Sequence, residues 1–305
     1  MSDLTYRDDE TASVSVAIAD TELFTYVYQS GAAQYESPRP FLHPLRTLGG
    51  RVVSIYRPHD HLWHVGLAWS LPHFGADNFW GGPSFRAGRG YVSLDNNGAT
   101  RHRRTGLVEV TDGVFTFAHD LDWYRFDGTH VVTETRQLTA RVEAERDAWI
   151  LTFETSMRNV SGADIMIGSP TTEGRPDAGY GGLFWRGPRS FTGGTVLGPD
   201  GATGEALRGR HAPWMAFTGQ HDEVEGSSSI VMVDAPANAQ HPPQWFARSE
   251  PFGCLGPAPF FSTEVRFADG SQMTNRYAVV IADGEADLDR ATALAALGTA
   301  TLTTG

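Results

Sequence analysis

Hydrophobic and polar residues alternate with a period of two along much of the chain. Val14, Val16 and Ile18 are separated by Ser15 and Ala17, and Trp149, Leu151, Phe153 and Met157 stand in register against Thr152, Glu154 and Ser156. Successive side chains of a strand point to opposite faces, so such runs predict half-buried strands. Asp-Gly pairs punctuate them. Asp112 and Gly113 separate 107–110 from 114–117, Asp127 and Gly128 separate 123–126 from 130–133, and Asp269 and Gly270 separate 263–267 from 273–281. Asp-Gly tolerates the positive φ of tight hairpin turns, so each predicts an antiparallel pair. Helical spacing is confined to 287–297, where Leu288, Ala291, Leu294 and Leu297 recur and Gly298 is placed to cap the end. Two Gly- and Pro-rich stretches, 70–90 and 168–204, read as long loops of the kind that carry function on a β scaffold. The pattern predicts an all-β protein: a large antiparallel β-sandwich, one domain over 1–305, with a short C-terminal helix.

Composition narrows the function. The 305 residues carry a formal net charge of -12, which argues against nucleic acid and anionic membranes as partners. The dense basic run is Arg101, His102, Arg103 and Arg104, read as a solvated loop or strand end. The single cysteine, Cys254, leaves no internal disulfide framework and no Cys-cluster metal site. Residues 1–17 are polar and acidic, without the basic start and apolar run of a signal peptide, and no apolar stretch reaches membrane-spanning length. The expectation is a cytoplasmic protein, with homo-oligomerisation left open.

Three segments hold the residue types that carry chemistry. The first runs from Arg57 through His59, Asp60, His61 and Trp63 to His64, with His43 upstream. On an extended strand His59 and His61 would share a face with Asp60 opposite, and a turn after His61 would return His64 towards them. Imidazole suits proton transfer near neutral pH and is also the commonest metal ligand, so His59, His61 and His64 double as candidate ligands of a divalent metal. The second segment holds Glu173, Tyr180, Trp185, Arg186 and Arg189 among paired glycines. Glu173 is a candidate acid or base, the arginines candidate clamps for an anion or oxyanion, and Tyr180 and Trp185 candidate stacking platforms. The third holds Trp245, Arg248 and Glu250, the last two placed to share a strand face or to pair with each other. Aromatic faces with Arg, Glu and His suit a sugar, which offers apolar ring faces and many hydroxyls.

These residues resemble a known family. Arg39-Pro-Phe-Leu-His43-Pro-Leu, Asp60-His61-Leu-Trp-His64-Val-Gly-Leu and Phe79-Trp80-Gly81-Gly82 are similar to the soluble PmoA-like family of unknown function, as are 179–186, Pro213-Trp214 and Trp245-Phe-Ala-Arg248. The resemblance covers about 35–285 and implies a β-sandwich in a setting of bacterial sugar catabolism. The family's methane-oxygenase label belongs with a membrane subunit built of transmembrane helices, which this chain lacks. A more distant resemblance, over 153–170 and again around Glu250, is to galactose mutarotases and their supersandwich fold. Thr172 and Glu173 stand where the mutarotase catalytic histidine would be, which argues against simple mutarotation.

The leading expectation is an enzyme acting on a sugar or an oxidised (3-keto) glycoside by acid/base proton transfer, through β-elimination, glycosidic cleavage or epimerisation. His61 and His64, with Glu173 or Glu250 opposite, are its candidate acid and base. His43, Asp60, Trp80, Tyr180, Trp185, Arg186 and Arg248 are its candidate substrate contacts. A metal-dependent hydrolase, lyase or oxygenase, and a non-catalytic carbohydrate-binding protein, are the alternatives.

Overall fold

The computed structural model describes residues 4–222 and 224–303; residues 1–3, 304 and 305, the ends of the expected domain, lie outside the described residues. The strands among these residues form an 11-stranded sheet, an 8-stranded sheet and a two-stranded ribbon, with every strand pairing antiparallel. The 11-stranded sheet runs Leu4–Asp8, Ser13–Ile18, Thr21–Val27, Phe41–Leu45, Leu67–Phe74, Gly182–Arg186, Cys254–Ala258, Gln244–Arg248 along its main path. The 8-stranded sheet is built around the long strands Gln272–Asp283, Ala148–Asn159, His130–Glu143 and Val114–Tyr124. This is the antiparallel β-sandwich that the alternation predicts.

The core lies between the sheets. Val14 and Val16 of one sheet and Trp149, Leu151, Phe153 and Met157 of the other are buried in one cluster. That cluster also holds a polar network: the Glu134 carboxylate accepts from Arg136, from Trp123 Nε1 at 2.7 Å and from Thr155 Oγ1 at 2.8 Å, while Arg136 reaches the Tyr26 hydroxyl across the sandwich. A buried charge is tolerated only when paired and fully hydrogen-bonded in this way.

The outer face of the 8-stranded sheet is also buried. Ala148, Ile150, Ala278, Val280 and Ala282 point away from the main core and pack under the helix Leu288–Thr303. Strands covered on both faces read as continuous apolar runs, which explains 277–282. The helix is longer than the predicted 287–297. Gly298 does not cap it but lies inside it, where a Cβ would stand 2.9 Å from Val233 Cγ2; glycine here lets helix and sheet approach.

Turn chemistry held at two of the three Asp-Gly pairs. Asp112 and Gly113 have φ of 52° and 75° and join Ala99–Thr111 to Val114–Tyr124. The loop through Gly128 joins Val114–Tyr124 to His130–Glu143. Asp269 and Gly270 form a turn but not a hairpin: Val265–Phe267 pairs with Ile165–Gly168, while Gln272–Asp283 pairs in the opposite sheet. A turn sequence specifies the reversal and not which edge receives the next strand. The two expected loops are also more structured than read. The 70–90 stretch contains Asp77–Phe79 and Ser84–Arg86, and 168–204 contains Gly182–Arg186 and Thr195–Leu197. The basic run lies in the exposed strand Ala99–Thr111, with Arg103 and Arg104 both bonded to Asp120.

Candidate functional site

Strand parity on three neighbouring strands builds the floor of a cavity. Gln244–Arg248, Cys254–Ala258 and Gly182–Arg186 pair side by side, with Arg248, Cys254 and Arg186 directly opposite one another. Residues opposite in register share a face. Leu183, Trp185, Trp245, Ala247 and Leu255 of these strands point into the sandwich core. Phe184, Phe246 and Cys254 point outward and form a separate cluster with Trp80 and Phe261. Above that cluster opens a cavity of about 370 Å³, lined by His61, His64, Trp63, Trp80, Arg248 and Phe252 among others.

The wall carrying the histidines is a pair of tight turns and not the extended strand expected. His61 N–H bonds to the Pro58 carbonyl at 3.0 Å, and His64 N–H to the His61 carbonyl at 2.9 Å. The two imidazoles end up stacked, with ring centres 4.5 Å apart and planes 19° from parallel. Buried Arg39 ties this segment down by donating to the Trp63 carbonyl at 2.7 Å and to the carbonyls of Glu36 and Ser37. The Trp63 side chain lies across Gly81 and Gly82. A Cβ on Gly81 would stand 2.6 Å from Trp63 Cβ and 2.5 Å from the Glu36 carbonyl oxygen, and φ there is +100°. The glycine pair in Phe79-Trp80-Gly81-Gly82 therefore seats Trp63.

Hydrogen bonding gives the two histidines opposite tautomers. Arg186 Nη1 donates to His64 Nδ1 at 2.8 Å. A guanidinium only donates, so His64 Nδ1 accepts and the ring proton sits on Nε2. His61 Nδ1 faces Asp60 Oδ2 at 2.8 Å. An ionised carboxylate only accepts, so His61 Nδ1 carries the proton and Nε2 keeps its lone pair. Among the described residues neither Nε2 has a hydrogen-bond partner.

Charge states follow from the same contacts. Burial alone would raise the Asp60 carboxyl, but hydrogen bonds from His61, Arg186 at 3.0 Å and Arg189 at 2.8 Å outweigh it and hold Asp60 well below the usual carboxylate range. Burial lowers the His61 imidazole below its ordinary value, with Asp60 opposing and Arg186 and Arg248 assisting. Burial, then the neighbouring His61, Arg186 and Arg39, push His64 down well below 6.5. Both rings are neutral near pH 7. The Arg186 guanidinium donates to Asp60 and lies over the Phe252 ring, 3.4 Å from its centre.

Tyr180, Tyr91, Arg175 and Arg248 line the same cavity. Tyr180 packs on Trp80 with ring centres 4.6 Å apart, and its hydroxyl meets that of Tyr91 at 2.8 Å. Arg175 lies over the Tyr91 ring and bonds to its hydroxyl. Arg248 lies over Phe246, and its buried Nε has no hydrogen-bond partner.

Of the residues singled out in the sequence, the structure gathers His61, His64, Trp80, Tyr180 and Arg248 around one cavity, with Asp60 and Arg186 hydrogen-bonded to its two histidines. Others lie elsewhere. Trp185 is fully buried in the core and donates to the Val53 carbonyl, so it is no stacking platform. His43 bonds to Ser54 Oγ at 2.8 Å and lines a separate pocket with Phe41 and Tyr56. Glu173 sits beside His73, at 3.7 Å, and Glu250 is exposed beyond the end of its strand; neither lines the cavity, and Glu250 does not pair with Arg248. His59 Nδ1 accepts from Arg189 at 2.8 Å instead of joining His61 and His64. Among the described residues no group of three or more His, Cys, Asp or Glu side chains is placed to hold a metal ion. Trp63, Phe184, Phe246, Phe252, Tyr91 and Arg175 were not among the expected contacts. Parity would have found two of them: Phe184 and Phe246 lie two residues from Arg186 and Arg248 on the same strand faces.

No helix among the described residues is long and apolar enough to cross a membrane. A search of curated proteins finds no match. Among solved structures, the chain is similar to a GH36 α-galactosidase, AgaB, from Geobacillus stearothermophilus at 10% identity and a TM-score of 0.45, covering 95% of this chain and 42% of that one. It is also similar to galactose 1-epimerase from Lactobacillus acidophilus at 7% identity and a TM-score of 0.41, covering 93% of this chain and 100% of that one. The chain thus spans less than half the length of the galactosidase. Residues 13–296 match one family over most of the sequence, and the chain belongs to it: the family of unknown function DUF6807.

Proposed function

We propose that the protein is an enzyme that moves a proton at a carbon next to a carbonyl group of a sugar derivative, such as a 3-keto glycoside. The carrying observation is the stacked imidazole pair with opposite tautomers at one cavity. His61 Nε2, oriented through Nδ1 by Asp60, is the base. His64 Nε2–H is a donor for the carbonyl oxygen as it becomes an enolate. A neutral imidazole kept from protonating by burial and cationic neighbours suits that second role.

On a 3-keto glycoside, His61 takes the proton from C2, and the electron pair moves onto the C3 oxygen facing His64. The enolate then collapses, the bond from C1 to the glycosidic oxygen breaks, and the proton held by His61 passes to the departing oxygen. The products are an alcohol and an unsaturated keto sugar. Delivery of a solvent proton to the other face of C2, with the proton on His61 then lost to water, would give epimerisation from the same enolate. Glycosidic cleavage through an oxocarbenium ion is less well supported, because it needs two carboxyl groups flanking the bond. Among the described residues no Asp or Glu lines this cavity. Trp63, Trp80 and Phe252 supply apolar walls for a sugar ring.

The test is isotopic. Purified protein is incubated with a 3-keto glycoside in D2O and followed by mass spectrometry and NMR. The expected outcome is deuterium at C2 or release of the aglycone, lost in His61→Gln and lowered by about 10²–10⁴ in His64→Gln. Unchanged exchange in both folded variants would sink the assignment.

A further inference from the structure

The cavity carries a charge that the protein itself does not neutralise. Arg175 and Arg248 both line it, and among the described residues no Asp or Glu does. Other arginines nearby have carboxylate partners: Arg186 and Arg189 share Asp60, and Arg208 pairs with Glu205. Among the described residues neither Arg175 nor Arg248 has an ion-pair partner, and the buried Nε of Arg248 has no hydrogen-bond partner. Arg175 is held by the Tyr91 ring and hydroxyl, and Arg248 by the Phe246 ring. Tyr180 ties the two together, its hydroxyl meeting that of Tyr91 at 2.8 Å and its ring lying 5.4 Å from that of Phe246. A guanidinium packed on an aromatic face is oriented without being neutralised. This cationic wall belongs to a chain of net charge -12, so general surface charge does not account for it.

We infer that the substrate is an anionic sugar, whose single carboxylate or phosphate group is bound by Arg175 and Arg248 while its ring lies towards His61 and His64. The inference rests on the proposed reading of this cavity as the substrate site. Arg248 is close enough to His61 for its charge to disfavour protonation of that ring. His61 and Arg248 line the same cavity, so an anion held at Arg248 shares that cavity with the base. The aromatic supports fix each guanidinium, so little ordering remains to be done when the ligand arrives.

Calorimetric titration with D-glucuronate, D-galacturonate and glucose 6-phosphate, against glucose and galactose, tests this on the full chain. At least one anion should bind about tenfold or more tightly than its neutral parent. That advantage should shrink on adding salt, vanish in Arg248→Gln and Arg175→Gln, and return in part in Arg248→Lys. Preference for the uronates identifies a carboxylate, and preference for the sugar phosphate identifies a phosphate. Equal or weaker binding of every anion overturns the inference. So does an advantage unchanged in both glutamine variants with wild-type melting temperatures. The deuterium-exchange experiment separates the two readings: exchange on neutral keto sugars without anion preference removes this inference alone, and anion preference without exchange by any substrate removes the proton-transfer reading alone.

Discussion

At the residue scale, the site turns on one carboxylate. Asp60 engages His61, Arg186 and Arg189 at once, and through Arg186 it also sets the tautomer of His64. Acid should titrate the base out of action. His61 must be neutral to accept a proton and its affinity for one is depressed, so kcat/KM should be flat near pH 7 and fall on the acid side with an apparent pKa below 6.5. In Asp60→Asn the carboxylate that favours the imidazolium is gone, so the acid limb should move to still lower pH. Turnover should drop by about 10²–10⁴, because an amide can donate to Nδ1 as well as accept from it, so the tautomer is no longer fixed. A pH–rate profile of both proteins reads the two effects together, and an acid limb at the same pH in the variant would show that Asp60 does not act through His61. The sequence made Asp60, His61 and His64 visible as a cluster. It did not show that His59 belongs with Arg189, because that depends on a loop 130 residues away.

At the element scale, tight turns and strand parity place the groups. The 58–64 turns present His61 and His64 together, and Gly81 and Gly82 make room for the intervening Trp63. Gly81→Ala should lose about 1–3 kcal/mol of stability from positive-φ strain and crowding. It should also raise KM by displacing Trp63 from the cavity wall, and the change in tryptophan emission offers a direct readout. An unperturbed melting temperature and emission would show that the backbone absorbs the methyl group freely. Strand parity is legible in a sequence wherever the strand itself is. Trp185 and Arg186 are adjacent on a strand, so they cannot both face one cavity, and Arg186 shares its face with Phe184. The limit was recognising 182–186 as a strand within a Gly-rich stretch.

At the scale of the whole molecule, the sandwich buries imidazoles as neutral rings. His64 and His119 are almost wholly buried with proton affinities well below normal, and burial lowers His43 and His73 to about 4. In the unfolded chain each takes up a proton near 6.5. Below that pH the unfolded state binds more protons than the folded one, so stability falls as pH drops from 6.5 towards 4. Melting temperatures across that range should decline before most carboxylates titrate, and His119→Phe should flatten the decline. A melting temperature constant from pH 7 to 5 would contradict the neutral burial.

The sequence by itself determined the class of fold. Two-residue alternation and Asp-Gly turns are local properties, and they dictate antiparallel strands wherever they occur. It also determined which residue types are equipped for proton transfer, since chemistry belongs to the side chain. The tertiary structure alone decided the rest. It sent the strand after Gly270 to the opposite sheet, left Glu173 and Glu250 outside the cavity, and set Arg248 within the field of His61. Those outcomes depend on contacts between segments separated by many tens of residues. Such contacts are chosen by how two sheets share one core, which no local pattern along the chain encodes.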